Sequence, residues 1–280
     1  MDARLRAALA EARNRDGGWP YLAGRQSRLE PTCWALLALE DADAATLLGR
    51  WQNRSGLVIE PSSGEVNYAF NGLAAVALGQ RWPAMSAAIA AGLIARKGIK
   101  VAEHPAIKQN SSLQGWSWYD ETFSWVEPTA WCMLALKKHG RNLQGTSARI
   151  DEAERLMADR ACQGGGWNYG NTEVYGKHLY PHVPPTALGI LAMQDRVQDS
   201  LVTAAVSVLT REAPREGSSV ALALAWLALT TVKAPTADLA QRLEQRVDTA
   251  LSVGNISAIA MTTFVLGSSG AALAPAAFRV

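Results

Sequence analysis

Asp16-Gly-Gly-Trp-Pro-Tyr21, followed by Arg28-Leu-Glu-Pro-Thr-Cys-Trp-Ala-Leu-Leu-Ala-Leu39, is the first of three statements of one phrase. The second is Gln114-Gly-Trp-Ser-Trp-Tyr119 with Trp125-Val-Glu-Pro-Thr-Ala-Trp-Cys-Met-Leu-Ala-Leu136. The third is Gln163-Gly-Gly-Gly-Trp-Asn-Tyr169 with His182-Val-Pro-Pro-Thr-Ala-Leu-Gly-Ile-Leu-Ala-Met193. Each joins a glycine-tryptophan turn, a loop, a Pro-Thr start and an apolar Ala/Leu run. Recurrence over tens of residues means one supersecondary unit used repeatedly.

Working outward, helix-period apolar stretches dominate and β signals are nearly absent. Two series interleave. One is apolar with few charges: about 30–40, 66–79, 127–139, 185–195, 217–231 and 255–268. The other is amphipathic and charged: about 2–14, 42–53, 83–96, 147–160, 197–211 and 235–251. Segment 147–160 alternates sign like a solvated face, and Asp41, Asp43, Asp151 and Glu154 are expected on such faces. Six apolar helices paired with six charged ones make six hairpins.

Pro31, Pro128 and Pro185 are 97 and 57 residues apart; a degenerate unit near Asn67 splits the first step into 36 and 61, and units at Ser219 and Ser257 follow after 34 and 38. The wide steps hold loops 97–113 and 168–183, with turn residues and no clear period. An apolar ring inside a polar one is the pattern of an all-α, α/α toroid over residues 1–280, and no polar capping unit of an open solenoid is evident. At the helix starts, proline at the first position loses no hydrogen bond. Glu30 and Glu127 are expected at the cap.

The bulk composition bounds the function. The chain has 280 residues, 49% of them hydrophobic, and a net charge of +2. With no basic block, nothing points to nucleic acid. No run of 18 uncharged apolar residues is present, so no integral membrane segment is expected. Charges interrupt the first thirteen residues, so no signal peptide is expected there. Three cysteines, two within Ala/Leu helices, read as buried thiols of a cytoplasmic protein.

Ten tryptophans outnumber four phenylalanines, and seven of them lie in or beside the repeated phrase. Trp19, Trp116 and Trp167 are expected to pack between hairpins. Tyr68, Phe70, Trp125, Trp131 and Tyr175 stand near apolar-helix starts and are candidates to line a cavity, where aromatic faces hold positive charge or stack on sugars. Arg25 and Arg28, with Lys177 and His178, are candidates to bind an anion. His178 and His182 are four apart, but Pro181 and Pro184 place them in loop rather than on one helix face, so no metal site is expected. Gly164-Gly-Gly-Trp167 lacks the Lys-Ser/Thr of a phosphate loop and reads as a packing turn.

The Gln163–Tyr169 run and the Pro128–Trp131 start resemble the glutamine-tryptophan repeats of the squalene-cyclase and protein-prenyltransferase β-subunit superfamily. The resemblance covers most of the chain, clearest over 14–40 and 112–195 and faint beyond 215. It implies an α/α toroid with an apolar central cavity, a small apolar or isoprenoid ligand, and Glu30 or Glu127 where cyclases carry their proton-donating aspartate. The adjoining acidic position is Pro31 or Pro128 here, and the upstream aspartate is Arg28 or Trp125. The positions nearest the prenyltransferase zinc ligands are Glu65, Asn67 and Pro185, without thiolate or imidazole, and there is no Asp-Asp-x-x-Asp run. No cofactor is therefore expected.

Three functional classes stay open: an isoprenoid enzyme with Glu127 or Glu30 as acid; a silent binding or scaffold module; and a carbohydrate-active toroid using Asp120, Glu121 and Glu127.

Overall fold

The computed structural model describes residues 2–102, 108–236, 238–269 and 275–280. Among the described residues the protein is all-α apart from one small hairpin and isolated bridges. The apolar series forms α2 (Leu29–Leu39), α4 (Tyr68–Leu78), α6 (Val126–His139), α8 (Val183–Ala192), α10 (Ser219–Thr231) and α13 (Ile256–Ser268). The charged series forms α1 (Ala3–Ala12), α3 (Ala42–Trp51), α5 (Pro83–Ile94), α7 (Thr146–Asp159), α9 (Ser200–Glu212), and a final pair, α11 (Leu239–Gln245) and α12 (Val247–Val253). The helix expected over 235–251 is thus two, because the backbone leaves helical geometry at Arg246, with φ −100° and ψ 4°; Ala237 lies outside the described residues. Residues 103–107 of the loop expected at 97–113 also lie outside them.

Each apolar helix packs on the next, α2 on α4, α4 on α6, α6 on α8, α8 on α10, α10 on α13, and α13 packs back on α2. The charged helices α3, α5, α7, α9 and α11 each pack on the apolar helix before them in sequence, and α1 packs on α13. Nine of the eleven residues of α2 and eleven of the fourteen in α6 are buried, and that burial is where most of their stability arises.

The repeated phrase is one hydrogen-bonded module. Trp19, Trp116 and Trp167 have no exposed surface. Each indole N–H donates to a carbonyl of the preceding charged helix: Leu9 at 2.7 Å, Leu93 at 2.9 Å and Met157 at 2.7 Å. Each tryptophan backbone N–H donates to the threonine hydroxyl of its Pro-Thr pair, Thr32 at 3.0 Å, Thr129 at 3.0 Å and Thr186 at 2.9 Å. Glycine precedes the tryptophan because there is no space for more: a Cβ on Gly166 would stand 2.9 Å from the Thr186 hydroxyl, and its φ of +74° suits glycine. In the degenerate unit Asn71 replaces threonine, accepting from Val58 N–H at 2.7 Å and donating to Val58 O at 2.9 Å. Thr129→Val should therefore cost about 1–3 kcal/mol, since it orphans a buried N–H; urea unfolding showing a loss within a few tenths would contradict this role.

Helix starts fall two residues before the expected positions. Arg28, Trp125 and His182 are the caps, and their carbonyls accept the first helical bonds from Thr32, Thr129 and Thr186. Glu30 and Glu127 therefore sit one residue inside the helix and make no cap bond. Pro31, Pro128 and Pro185 occupy the third helical position, where the N–H has no partner to lose.

Loop 168–183 holds the one correction to its type among the described residues. Glu173–Val174 (β1) pairs antiparallel with Lys177–His178 (β2). Tyr175 and Gly176 turn the chain with φ +51° and +74°, the two positive values a tight hairpin turn requires. Asp43 and Asp151 are exposed as expected. Asp41 instead caps α3, and Glu154 is tied to buried Lys137 at 2.7 Å and to Arg196 at 2.9 Å. The three cysteines are buried free thiols.

Candidate functional site

Two matched helix faces meet in the core. On α2, Glu30 and Trp34 are one turn apart; on α6, Glu127 and Trp131 repeat that spacing. The indoles of Trp34 and Trp131 touch edge to face at 6.0 Å between centroids. That contact brings the two carboxyl-bearing turns toward each other, and the charge of Glu30 acts on Glu127.

The two carboxyls have different company. Glu30 accepts a 2.5 Å hydrogen bond from the Tyr21 hydroxyl. Burial raises its pKa, against hydrogen bonds from Tyr21 and Trp34 that favour the ionised form. Among the described residues nothing donates to Glu127, and it has no cationic neighbour. Burial first, and the Glu30 charge second, push it up to about 7. At neutral pH this carboxyl divides its time between acid and base, the range in which a side chain transfers protons most effectively. Burial also raises the Tyr21 hydroxyl and the Cys33 thiol, so both stay protonated.

Arg28 is tied to groups of the protein itself. Its Nε donates to Glu60 at 2.8 Å, and its guanidinium lies 5.1 Å over the Tyr21 ring. Glu60 is 1% exposed and also accepts from Leu29 N–H at 3.3 Å. The Arg28 charge is therefore matched by a buried carboxylate and holds the start of α2 in place.

The other expected residues fall into separate groups. Trp131 is 3% exposed and belongs to the packed core with Trp34 and Phe278. The Tyr68 hydroxyl bonds Asp120, and Phe70 meets Trp118 edge to face at 5.9 Å. Trp125 and Tyr175 share a different hollow, a cleft of about 380 Å³ between the two long loops. Asp120 also faces Arg96 at 3.6 Å, while Glu121 is exposed on a left-handed backbone, φ +60°. Asp120 is thus engaged with Tyr68 and Arg96, Glu121 has no partner among the described residues, and the carboxyl that acts on Glu127 is Glu30. His178 lies 3.7 Å from Glu173, and His182 meets Tyr169 at 5.7 Å with the rings tilted by 33°, so the histidines serve different neighbours. Asn67 caps α4, accepting from Phe70 N–H at 3.0 Å, and Glu65 is exposed.

Tyr21, Trp34, Glu60 and Phe278 complete the site and were not among the expected residues. Trp34 was readable from the Glu-x-x-x-Trp spacing it shares with Trp131, and Tyr21 from its place in the repeated turn. Glu60 and Phe278 carry no such signal.

No protein-family model matches the chain, and no curated protein matches it significantly. Among the described residues, no helix is long and apolar enough to cross a membrane.

Proposed function

We propose that the chain is an α/α toroid of the squalene-cyclase-like kind, binding a small isoprenoid between its apolar helices and using Glu127 as a general acid. The cyclic packing of α2, α4, α6, α8, α10 and α13 supports the architecture. The observation that carries the chemistry is Glu127 itself: a desolvated carboxyl without a counter-cation, beside Glu30, one turn from a tryptophan pair.

A carboxyl with a pKa near 7 is a ready proton donor at neutral pH but a weak acid. It suits protonation of an oxygen, as in an epoxide or allylic alcohol, better than protonation of a bare alkene. Trp34 and Trp131 would then face the positive charge that develops as the carbon–oxygen bond breaks. Burial, with Glu30 as the second influence, keeps the Glu127 proton in place, and the Tyr21 hydroxyl holds Glu30 beside it.

Incubation with isoprenoid alcohols and epoxides, followed by gas chromatography and mass spectrometry, tests this. Wild type should give a product, and Glu127→Gln should lower its rate by about 10²–10⁴, the usual weight of general acid catalysis. A product formed at an unchanged rate by the variant would remove Glu127 from the chemistry.

A second reading, a binding module without turnover, is supported by Phe278, which fills space against Trp34 and Trp131. It predicts saturable isoprenoid binding and no product.

A further inference from the structure

The cleft that joins Trp125 to Tyr175 is built from the two longest irregular segments, and neither Glu30 nor Glu127 lines it. Its volume of about 380 Å³ falls within the range of about 300–1,000 Å³ typical of ligand sites. One wall is aromatic: Phe123 and Trp125 contact each other at 4.8 Å. Gly170 holds that wall in plane, because a Cβ there would stand 2.9 Å from the Trp125 ring. An aliphatic wall adjoins it, with Ile99 and Val101; Ile99 pairs with Phe123 in a parallel bridge, and its N–H donates to Thr122 O at 2.9 Å.

Apolar surface remains open to water here. Ile99 is 46% exposed, Phe123 44% and Tyr175 87%. Several large apolar side chains gathered on one concave surface mark a binding site, whereas single ones scattered over a surface do not. The Tyr175 ring stands at the tip of the β1–β2 turn, on the rim of the cleft.

The polar groups of the cleft define the ligand further. Arg160 is paired with Asp159 and donates to Asn110 O at 3.2 Å. Glu173 faces His178. Both side chains thus already have a polar neighbour within the protein. What is left is neutral: the hydroxyls of Ser111 and Ser124, the latter buried without a hydrogen-bond partner among the described residues, and an amide pair, Gln109 donating to Asn171 at 2.6 Å, with further donors and acceptors on both amides.

We infer that this cleft is a second ligand site, distinct from the Glu30–Glu127 site, and that it binds a neutral, flat aromatic compound bearing one hydrogen-bonding oxygen. The rings of Phe123, Trp125 and Tyr175 stack on its faces, the aliphatic wall takes its edge, and the Gln109–Asn171 amides meet its oxygen. A charged ligand is disfavoured, since it would be desolvated with no free counter-charge to meet it. The site does not depend on the acid chemistry proposed above.

Fluorescence titration with the neutral dye N-phenylnaphthylamine, and with its sulfonated counterpart anilinonaphthalene sulfonate, tests the inference. The neutral dye should bind one per chain and be displaced by naphthol. The sulfonated dye should bind about tenfold or more weakly. Val101→Asp places a charge in the aliphatic wall and should weaken the neutral dye at least about tenfold. Tyr175→Ala, at a largely exposed position outside the core, should weaken it several-fold. Val253→Asp, at an exposed apolar residue that ends α12, should leave it unchanged. Absence of saturable binding, equal or tighter binding of the sulfonated dye, or binding untouched by both cleft variants would overturn the inference.

Discussion

Phe278→Ala is expected to lower the unfolding free energy by about 3–5 kcal/mol, among the largest losses a single truncation causes. Phe278 has no exposed surface. It stacks on Trp34 at 6.0 Å with 14° between ring planes, and meets Phe264 at 5.8 Å and Trp131 at 6.4 Å. The short turn that carries it, Ala276–Phe278, is held by few backbone bonds. Lys138 donates to the Ala276 carbonyl at 3.1 Å and to that of Arg279, and Gln194 donates to the Phe278 carbonyl at 2.8 Å. The ring is therefore the main apolar anchor of the segment. A hollow of about 440 Å³, bounded by Leu37, Val76, Trp82, Phe264 and the 275–277 segment, already lies beside it. Truncation leaves a void that this loosely filled surround closes only in part. Phe278→Leu keeps an apolar side chain there and should cost much less, under about 1.5 kcal/mol. Guanidinium unfolding of the two variants checks the pair. A loss under 1 kcal/mol for alanine would mean that the segment does not dock in solution.

The helix plan was legible in the sequence because helix periodicity and Pro-Thr starts are local signals. Starts near 30, 127 and 185 fall within two residues of α2, α6 and α8. The offset has a physical cause. Proline is as well tolerated at the third helical position as at the first, so Pro31 and Pro128 mark a first turn without marking its first residue. The break at Arg246 and the β1–β2 hairpin were not legible: one interrupts an otherwise periodic run, and the other has strands of only two residues each. At the site, Glu30 and Glu127 stood out because they share a place in the repeat. The pairing of Arg28 was not legible because its partner, Glu60, lies 32 residues on in the unit whose repeat signal is weakest. Phe278 follows the last apolar helix with no motif around it, and only tertiary packing shows that it meets Trp34, 244 positions away.

Glu127→Gln should make the protein more stable above neutral pH, by about 2–3 kcal/mol, and leave it unchanged near pH 4. The sign follows from the direction of the shift. In the unfolded chain this carboxyl titrates at 4.5, and in the folded protein at about 7. Between those values the native state holds the proton and the unfolded state does not. Stability therefore falls as pH rises through the window, and by about pH 8 the whole contribution is gone. The shift corresponds to about 3 kcal/mol, and the favourable meeting of a carboxylate with the helix N-terminus offsets up to about 1 kcal/mol of it. Glutamine has nearly the same shape and stays neutral throughout, so it removes the pH dependence without opening a cavity. If Glu127 instead capped α6, the same change would cost about 1 kcal/mol at every pH; the cap is Trp125, and Glu127 makes no cap bond. Unfolding curves of both proteins from pH 4 to pH 9 separate the outcomes. Two curves converging at low pH, with the variant above wild type at high pH, are expected. Parallel curves would mean that Glu127 is not desolvated, and the acid role proposed for it would fall with that result.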